Sequence, residues 1–374
     1  MSLRIAYLGT YDPSYARNRV LIDGLRAAGA EVIEYAAPLD PSLTAARMAT
    51  PAGMRRLAAE LARAHLALLA RHRAGVTFDV VVVGYPGHLI VPFAWAVARA
   101  RRALLVFDPL VSLFDTFAGD RGLLAGDSAA GMAAGAVDRV AFALPDVVLA
   151  DTRAHAEYYA AAVGVPAARL AVVPVGALPL AGATGAARSP APGAPLRVVQ
   201  YGRWSPLHGL PAVLDAADEL RDEPWVFELI GDGQLAEWLA AEVDGRGLAS
   251  VEIHGSLPPW RLRGRLLAAD VCLGVFGTSE KAARVVPNKV YDALAAGRPL
   301  VTADSPAARE LLENGRDGLL VPPGSGDALA AALRRLEERD ERARLGAAGL
   351  DLYRRRCTPE AVAATLLAAL EERL

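Results

Sequence analysis

Short apolar runs that stop at glycine or a small polar residue, each followed by a helical pattern, recur along the whole chain and restrict it to one architecture. Arg4 to Leu8 stops at Gly9, a helical pattern follows from Arg19 to Ala28 with Gly29 as its stop, and Ala30 to Tyr35 is the next run. Asp79–Val83, Leu104–Phe107, Val147–Ala150 and Leu170–Val173 repeat the unit. Strands alternating with helices at this spacing predict a parallel, helix-covered sheet of the α/β class. The alternation breaks once, at Leu178–Pro195 (LPLAGATGAARSPAPGAP), which is rich in Ala, Gly and Pro and has no apolar period. It then restarts with Leu196–Gln200, Trp225–Ile230, Val251–Ile253, Val271–Val275, Leu300–Val301 and Gly318–Val321. At 374 residues the chain exceeds a usual single core. The expectation is a first domain over 1–177, a linker over 178–195 and a second domain over 196–357, with a helix over 358–374 that starts at a good cap near Thr358 and packs back on the first domain.

In parallel sheets of this kind ligands sit at the carboxyl ends of the strands. In the first half that rule points to Gly9-Thr10-Tyr11-Asp12-Pro13 with Arg17-Asn18-Arg19 behind it, to Gly84–His88, and to Asp108 and Asp115. Three polar groups on one rim (His88, Asp108 and Asp115) define a site hypothesis, although a lone histidine after a strand is usually structural. Gly9 is not followed by the second and third glycines of a dinucleotide fingerprint, which argues against a nicotinamide dehydrogenase. In the second half the strand-end loops are Tyr201–Gly209, Gly231-Asp232-Gly233, His254–Pro258 and Thr302–Pro306.

Composition narrows the function. A hydrophobic content of 53% with 22% charged residues describes a compact soluble protein, and a net charge of -2 argues against a nucleic-acid partner. Two cysteines, Cys272 and Cys357, make no disulfide framework and match no metal spacing, so a reducing cytoplasm is expected. No signal peptide is legible in MSLRIAYLGTY. The most apolar region, Val80–Ala98, is interrupted at Gly84, Pro86, Gly87 and His88 and is rejected as a membrane span. The helical segment 54–73 sets Arg55, Arg56, Arg63, Arg71 and Arg73 among Ala and Leu. It reads either as an amphipathic packing helix with a solvated basic face or as a weak peripheral contact with the inner face of a membrane. Glu60 among the cations favours the first reading.

The chain carries 40 Lys plus Arg, yet only two are lysines, Lys281 and Lys289, and both fall in Gly277–Gly297 (GTSEKAARVVPNKVYDALAAG). Asparagine is confined to Asn18, Asn288 and Asn314. A chain that uses arginine wherever any cation serves keeps lysine where a compact ammonium is needed. Pro287 suits a helix first turn and Gly297 its C-terminal cap, so Lys289 sits where the helix dipole is positive and an acid would be expected. An ammonium and free N–H groups at one helix start make a phosphate site; the bland alternative is that Lys289 points into water.

Taken together, Gly202-Arg203, His208-Gly209, Gly231-Asp232-Gly233, Asp292–Val301 and Asn314–Val321 resemble the retaining glycosyltransferases of family 4. The match is fairly specific in the second half and loose in the first, where Leu144–Ala150 and Pro174-Val175-Gly176 carry it. The resemblance implies a GT-B fold, two Rossmann-like domains with parallel sheets facing a central cleft, and transfer of a sugar from a nucleoside diphosphate donor without an obligatory metal or other cofactor. It implies Arg203, Lys289, His88 and Asp108 as catalytic residues. Gly9, Thr10, His208, Gly209, Asp232, Gly255, Ser256, Leu257, Glu280, Lys281, Arg284, Val285, Val286, Asn288 and Asp292 form the implied donor site, Asp292 as acceptor for the ribose hydroxyls. Tyr11, Arg17, Asn18 and Asp115 lie on the implied acceptor side, where Thr10 and His88 would also meet the acceptor. The chain departs from the family twice. His208 stands where the family has a phosphate-binding lysine, and Arg284 stands where it has the first acid of a Glu-x7-Glu pair. Lys289 or Lys281 is the expected compensation. An epimerase would instead need converging acid/base carboxylates, for which Glu280, Asp108 and Asp115 are the candidates; a nucleotide-sugar sensor needs none.

Overall fold

The computed structural model describes residues 2–40, 50–71, 76–188, 191 and 193–374. The chain forms two compact units, one of Met1–Pro174 with Pro359–Leu374 and the other of Val175–Thr358. Each is built on a six-stranded sheet in which every pair is parallel.

In the first unit the strands are β1 (Arg4–Gly9), β2 (Glu31–Ala36), β3 (Val80–Val83), β4 (Leu104–Phe107), β5 (Val147–Ala150) and β6 (Leu170–Val172), in the spatial order β2-β1-β3-β4-β5-β6. The inner strands are covered on both faces, which is why β3 reads VVVV with all four residues buried and shows no alternation. The order reverses between β1 and β3, so the crevice at their carboxyl ends is where Gly9 meets Gly84: a Cβ on Gly9 would lie 3.7 Å from the Gly84 carbonyl oxygen.

In the second unit β7 (Leu196–Trp204), β8 (Trp225–Gly233), β9 (Val251–His254), β10 (Val271–Leu273), β11 (Leu300–Ala303) and β12 (Leu319–Val321) take the order β12-β11-β10-β7-β8-β9. The reversal falls between β7 and β10. Its core is a cluster around Trp225, Phe227, Leu229 and Phe276 with the inner faces of the flanking helices.

Three expectations are corrected here. First, β7 and β8 run on to Trp204 and Gly233, so Tyr201–Arg203 and Gly231–Gly233 are strand and not loop. Glycine makes this possible: Gly202 pairs with Gly231, and a Cβ on Gly231 would stand 1.9 Å from the Gly202 carbonyl oxygen. Second, the change of unit falls at Pro174–Val175, ahead of the segment expected to be a linker. The described part of that segment packs in the second unit, where Gly185 lies against Gly297 and Ala347. Third, Pro287 caps its helix from outside, and the first helical residue is Asn288.

The closing helix, Pro359–Glu371, returns to the first unit against the helix Ala16–Ala27. The approach is close enough that a Cβ on Gly24 would lie 1.9 Å from the Pro359 carbonyl oxygen. Among the described residues no helix is long and apolar enough to cross a membrane. In the helix Pro51–Arg71, Arg56 is paired with Asp40 and Arg63 with Glu60, while Met54, Leu66 and Leu69 are exposed. Arg73 lies outside the described residues, as does the side chain of Arg71.

Candidate functional site

At the β7–β10 reversal three segments are brought to one place by hydrogen bonds that the sequence analysis did not anticipate. Gln200, fully buried in the middle of β7, donates from Nε2 to the carbonyls of Gly274 (2.9 Å) and His208 (3.3 Å). The turn Pro206–His208 is closed on itself by Ser205, whose backbone N–H donates to His208 Nδ1 at 3.3 Å. That turn docks on the segment after β10, with Phe276 N–H donating to His208 O (3.2 Å) and Gly277 N–H to Leu207 O (3.1 Å). Gly209 has φ +64, and a Cβ there would meet the Phe276 carbonyl carbon at 2.3 Å, so this junction excludes a side chain.

Into this junction come the two residues that matter most. Gly202 has φ +146, and a Cβ on it would lie 2.5 Å from His208 Nε2 and 3.2 Å from Lys289 Nζ. His208 and Lys289 therefore converge on the bare α-carbon of Gly202, two residues before the end of β7. Lys289 belongs to the first turn of the helix Asn288–Ala295, which no side chain caps. Its side chain is only 4% exposed and its ammonium has no hydrogen-bond partner among the described residues. The Tyr201 ring centroid is 6.0 Å from Nζ. Burial alone lowers the Lys289 amine to about 7. A buried cation without a counter-charge is costly, and a phosphate oxygen at this helix start would supply both charge and acceptor.

One turn further on, half-buried Asp292 accepts a hydrogen bond from the Tyr201 hydroxyl. Burial pushes its carboxyl up to about 6, against the opposing effect of that bond. Tyr201 escaped the sequence reading because it looked like the first residue of a loop; its place on β7 is what aims it at the helix.

The remaining second-unit candidates scatter by degree of exposure. Arg203 is exposed and makes no ion pair among the described residues. Asp232 is exposed and accepts from the Gly233 N–H at 2.7 Å. Gly255 and Ser256 are exposed beyond β9, and Leu257 is half-buried. The helix Glu280–Arg284 is capped by Ser279, which accepts from the Ala282 N–H. Along it the Glu280 carboxylate is 93% exposed and pairs with Arg284 at 3.2 Å, and Lys281 is buried. Asn288 and Val285 are half-buried. The Val286 side chain is buried and lines the same small apolar pocket as Val275 and Val290.

In the first unit the structure brings the expected residues together but spends their polar groups on one another. The Asp108 carboxylate takes Arg17 Nε and Nη2 at 2.7 and 3.2 Å, both side chains are buried, and Arg17 Nη1 also donates to the carbonyls of Val173 and Pro174. The Asn18 side chain accepts from the Tyr7 hydroxyl at 3.0 Å and donates to the carbonyls of Asp12 and Tyr85. Thr10 Oγ1 donates to Pro86 O, and the Tyr11 hydroxyl donates to Glu34. His88 donates from Nε2 to Val111 O at 2.9 Å and packs edge-on against Phe107; desolvation lowers its pKa. Asp115 is buried in the segment after β4. The hydrogen-bonding groups of His88 and Asp108, expected as catalytic residues, and of Tyr11, Arg17 and Asn18, expected on the acceptor side, are thus directed at protein partners of the same unit. Their functional atoms hold the strand-end loops of the first unit in place. Of the acids an epimerase would need, Asp108 is locked to Arg17 within the first unit and the Glu280 carboxylate of the second is in solvent.

Two parallel six-stranded sheets, each with helices and a reversal of strand order, define the GT-B class of two Rossmann-like domains. Residues 195–339 match the family model described as glycosyl transferases group 1. The amylovoran biosynthesis glycosyltransferase AmsK of Erwinia amylovora is 30% identical over 148 residues, which is 38% of this chain and 36% of that protein. A putative colanic acid biosynthesis glycosyltransferase, WcaL of Salmonella typhimurium, is 30% identical over 151 residues, again 38% of this chain and 36% of the relative. The chain thus aligns with about a third of the length of these curated relatives. Among solved structures, the sucrose-phosphate synthase of Thermosynechococcus elongatus superposes with a TM-score of 0.73 at 18% identity, covering 100% of this chain and 99% of that one. Anabaena HepE in complex with UDP-glucose superposes with a TM-score of 0.68 at 18% identity, covering 99% and 100%. At these identities the likeness is one of fold.

Proposed function

We propose that this protein is a glycosyltransferase that moves a sugar from a nucleoside diphosphate sugar to an acceptor, with retention of anomeric configuration and without a metal. The observation that carries this reading is Lys289, a buried ammonium with no partner among the described residues, converging with His208 on Gly202 at the carboxyl end of β7. The group 1 match covers this unit, the aligned relatives bear glycosyltransferase names, and HepE of the same fold is seen with UDP-glucose. A departing nucleoside diphosphate gains negative charge as the glycosidic bond breaks, so cations and N–H donors fixed at that point lower the barrier. Lys289 and the helix start meet the diphosphate, exposed Arg203 closes on it from β7, and Asp292 accepts from the ribose hydroxyls, its carboxylate aimed by Tyr201. The sugar rests near Glu280–Val286 on backbone groups and Arg284. The same cations take the place of a metal in neutralising the diphosphate. The acceptor side belongs to the first unit, whose loops Gly9–Tyr11 and Gly84–His88 are rigidly held.

A thermal-shift screen against UDP, ADP, GDP and dTDP tests the reading, because a ligand that binds only the folded state raises apparent stability by mass action. One nucleotide raising the melting temperature, followed by release of that nucleotide from its sugar conjugate with acceptor present and undiminished by a chelator, supports it. An inverted anomer in the first-formed product, seen by NMR, would refute retention.

A further inference from the structure

We propose that the diphosphate site of this chain is proton-coupled: the nucleotide is held by Lys289 and His208 together, and its binding at neutral to alkaline pH draws a proton onto Lys289. The inference rests on the nucleotide-sugar reading above and adds how that site senses pH. Its geometric basis is the convergence of both side chains on the α-carbon of Gly202, where a single Cβ would lie 2.5 Å from His208 Nε2 and 3.2 Å from Lys289 Nζ. An anion seated in front of Gly202 would meet both.

Among the described residues the surroundings leave the Lys289 amine without a hydrogen-bond partner. From β7 it faces the Tyr201 ring and Gly202; the charged neighbour on that strand, Arg203, is exposed. From the turn Pro206–His208 it faces His208. On its own helix the nearest acid is Asp292, whose carboxylate accepts the Tyr201 hydroxyl. Of the strands packed under this helix, β10 carries Cys272, whose thiol is pushed up to about 12 by burial, and β11 carries Thr302, whose hydroxyl is bonded to the Val275 backbone. The helix Arg339–Arg356 packs on this helix through Gly349, against Leu294. Burial is accordingly the single influence on the Lys289 amine, and it lowers it to about 7. A bound diphosphate restores the missing counter-charge and raises that value again. At pH 8 the empty site is then largely neutral and the occupied site charged, so binding takes up a proton. A site built from two guanidinium groups, or with an exposed lysine at position 208, would bind with no such dependence.

Isothermal titration of the full chain with UDP, ADP and GDP at pH 8, in buffers of low and high ionisation enthalpy, counts the protons directly. The expected result is uptake approaching one proton for the nucleotide that binds, with affinity falling at least several-fold between pH 6.5 and pH 9. Lys289→Arg, permanently charged, should bind with that uptake removed; Lys289→Met should lose both the uptake and most of the affinity. Tight binding by the unaltered protein with no buffer-dependent enthalpy and no change of affinity with pH overturns the proton coupling and leaves the nucleotide-sugar reading standing. No binding of any of these nucleotides at either pH overturns both.

Discussion

The two sheets end in opposite ways. Where the first unit's strands finish, every charge the structure buries in the Arg17–Asp108 pair is matched: the guanidinium has a carboxylate and two carbonyls, and the carboxylate has two N–H donors. In the second unit the Lys289 amine is buried beside Gly202 near the carboxyl end of β7, with no hydrogen-bond partner among the described residues. A fold stabilised at both ends by satisfied pairs would need no ligand. The nucleotide site proposed above lies at the end where the buried group lacks a partner among the described residues, and a buried charge without a partner is strongly unfavourable.

Substitutions can break that contrast, and the largest effect belongs to the first unit. Asp108→Ala leaves the Arg17 guanidinium buried without its counter-ion and should lower stability by about 3–5 kcal/mol, read from chemical denaturation. Nucleotide affinity of the fraction that remains folded should be unchanged, since Asp108 is outside the second unit. A variant that loses affinity while keeping its denaturation midpoint would return Asp108 to the site.

Next comes Gly231→Ala. Its Cβ would press on the Gly202 carbonyl oxygen from φ +152, so overpacking of roughly 1–3 kcal/mol is expected together with displacement of Gly202 and weaker nucleotide binding. Loss of stability with affinity intact would show that the β7–β8 approach serves the fold alone.

In the second unit the pH dependence carries a definite sign. The folded-state amine of Lys289 lies near 7 against an ordinary value of 10.5, so the unfolded chain holds more protons between those limits and stability conferred at this site rises with pH across them. Lys289→Met should therefore be more stable than the parent near pH 6.5, with the advantage shrinking as pH rises towards 10.5. Parallel denaturation curves at pH 6.5 and 9.5 decide it, and an advantage that grows with pH would contradict the burial argument.

The smallest effect is at Tyr201. Tyr201→Phe removes one hydrogen bond to Asp292, about 1–2 kcal/mol at most, and should push the Asp292 carboxyl above its present value near 6, a shift visible by carbon-detected NMR. An unchanged Asp292 titration would mean the hydroxyl does not orient it.

Much of this was legible in the sequence, and the limits are physical. The parallel α/β class follows from the alternation of apolar runs and helical patterns, because that pattern is set by burial of each element. The rarity of lysine singled out Lys289, because composition records where one cation cannot replace another. What escaped was pairing. His88 and Asp108 follow strand ends and Arg17 opens the helix after the β1 loop, as the rim argument requires, but sequence proximity to the rim does not tell whether a polar group faces a ligand or a neighbour 91 residues away. Gln200 and Tyr201 escaped for the converse reason. They belong to a strand that runs past its apolar stretch, and the glycine pair Gly202–Gly231 that lets it do so is meaningful only once β7 and β8 are known to be neighbours.

The central claim, that Lys289 awaits the diphosphate of a nucleotide, is tested most directly by measuring nucleotide affinity and unliganded melting temperature side by side for the parent and Lys289→Met. One charge-assisted hydrogen bond is worth about 1.5–3 kcal/mol, so affinity should fall by roughly 10- to 100-fold while the unliganded protein melts at the same or a higher temperature. A variant that melts lower and binds as tightly as the parent would contradict the account.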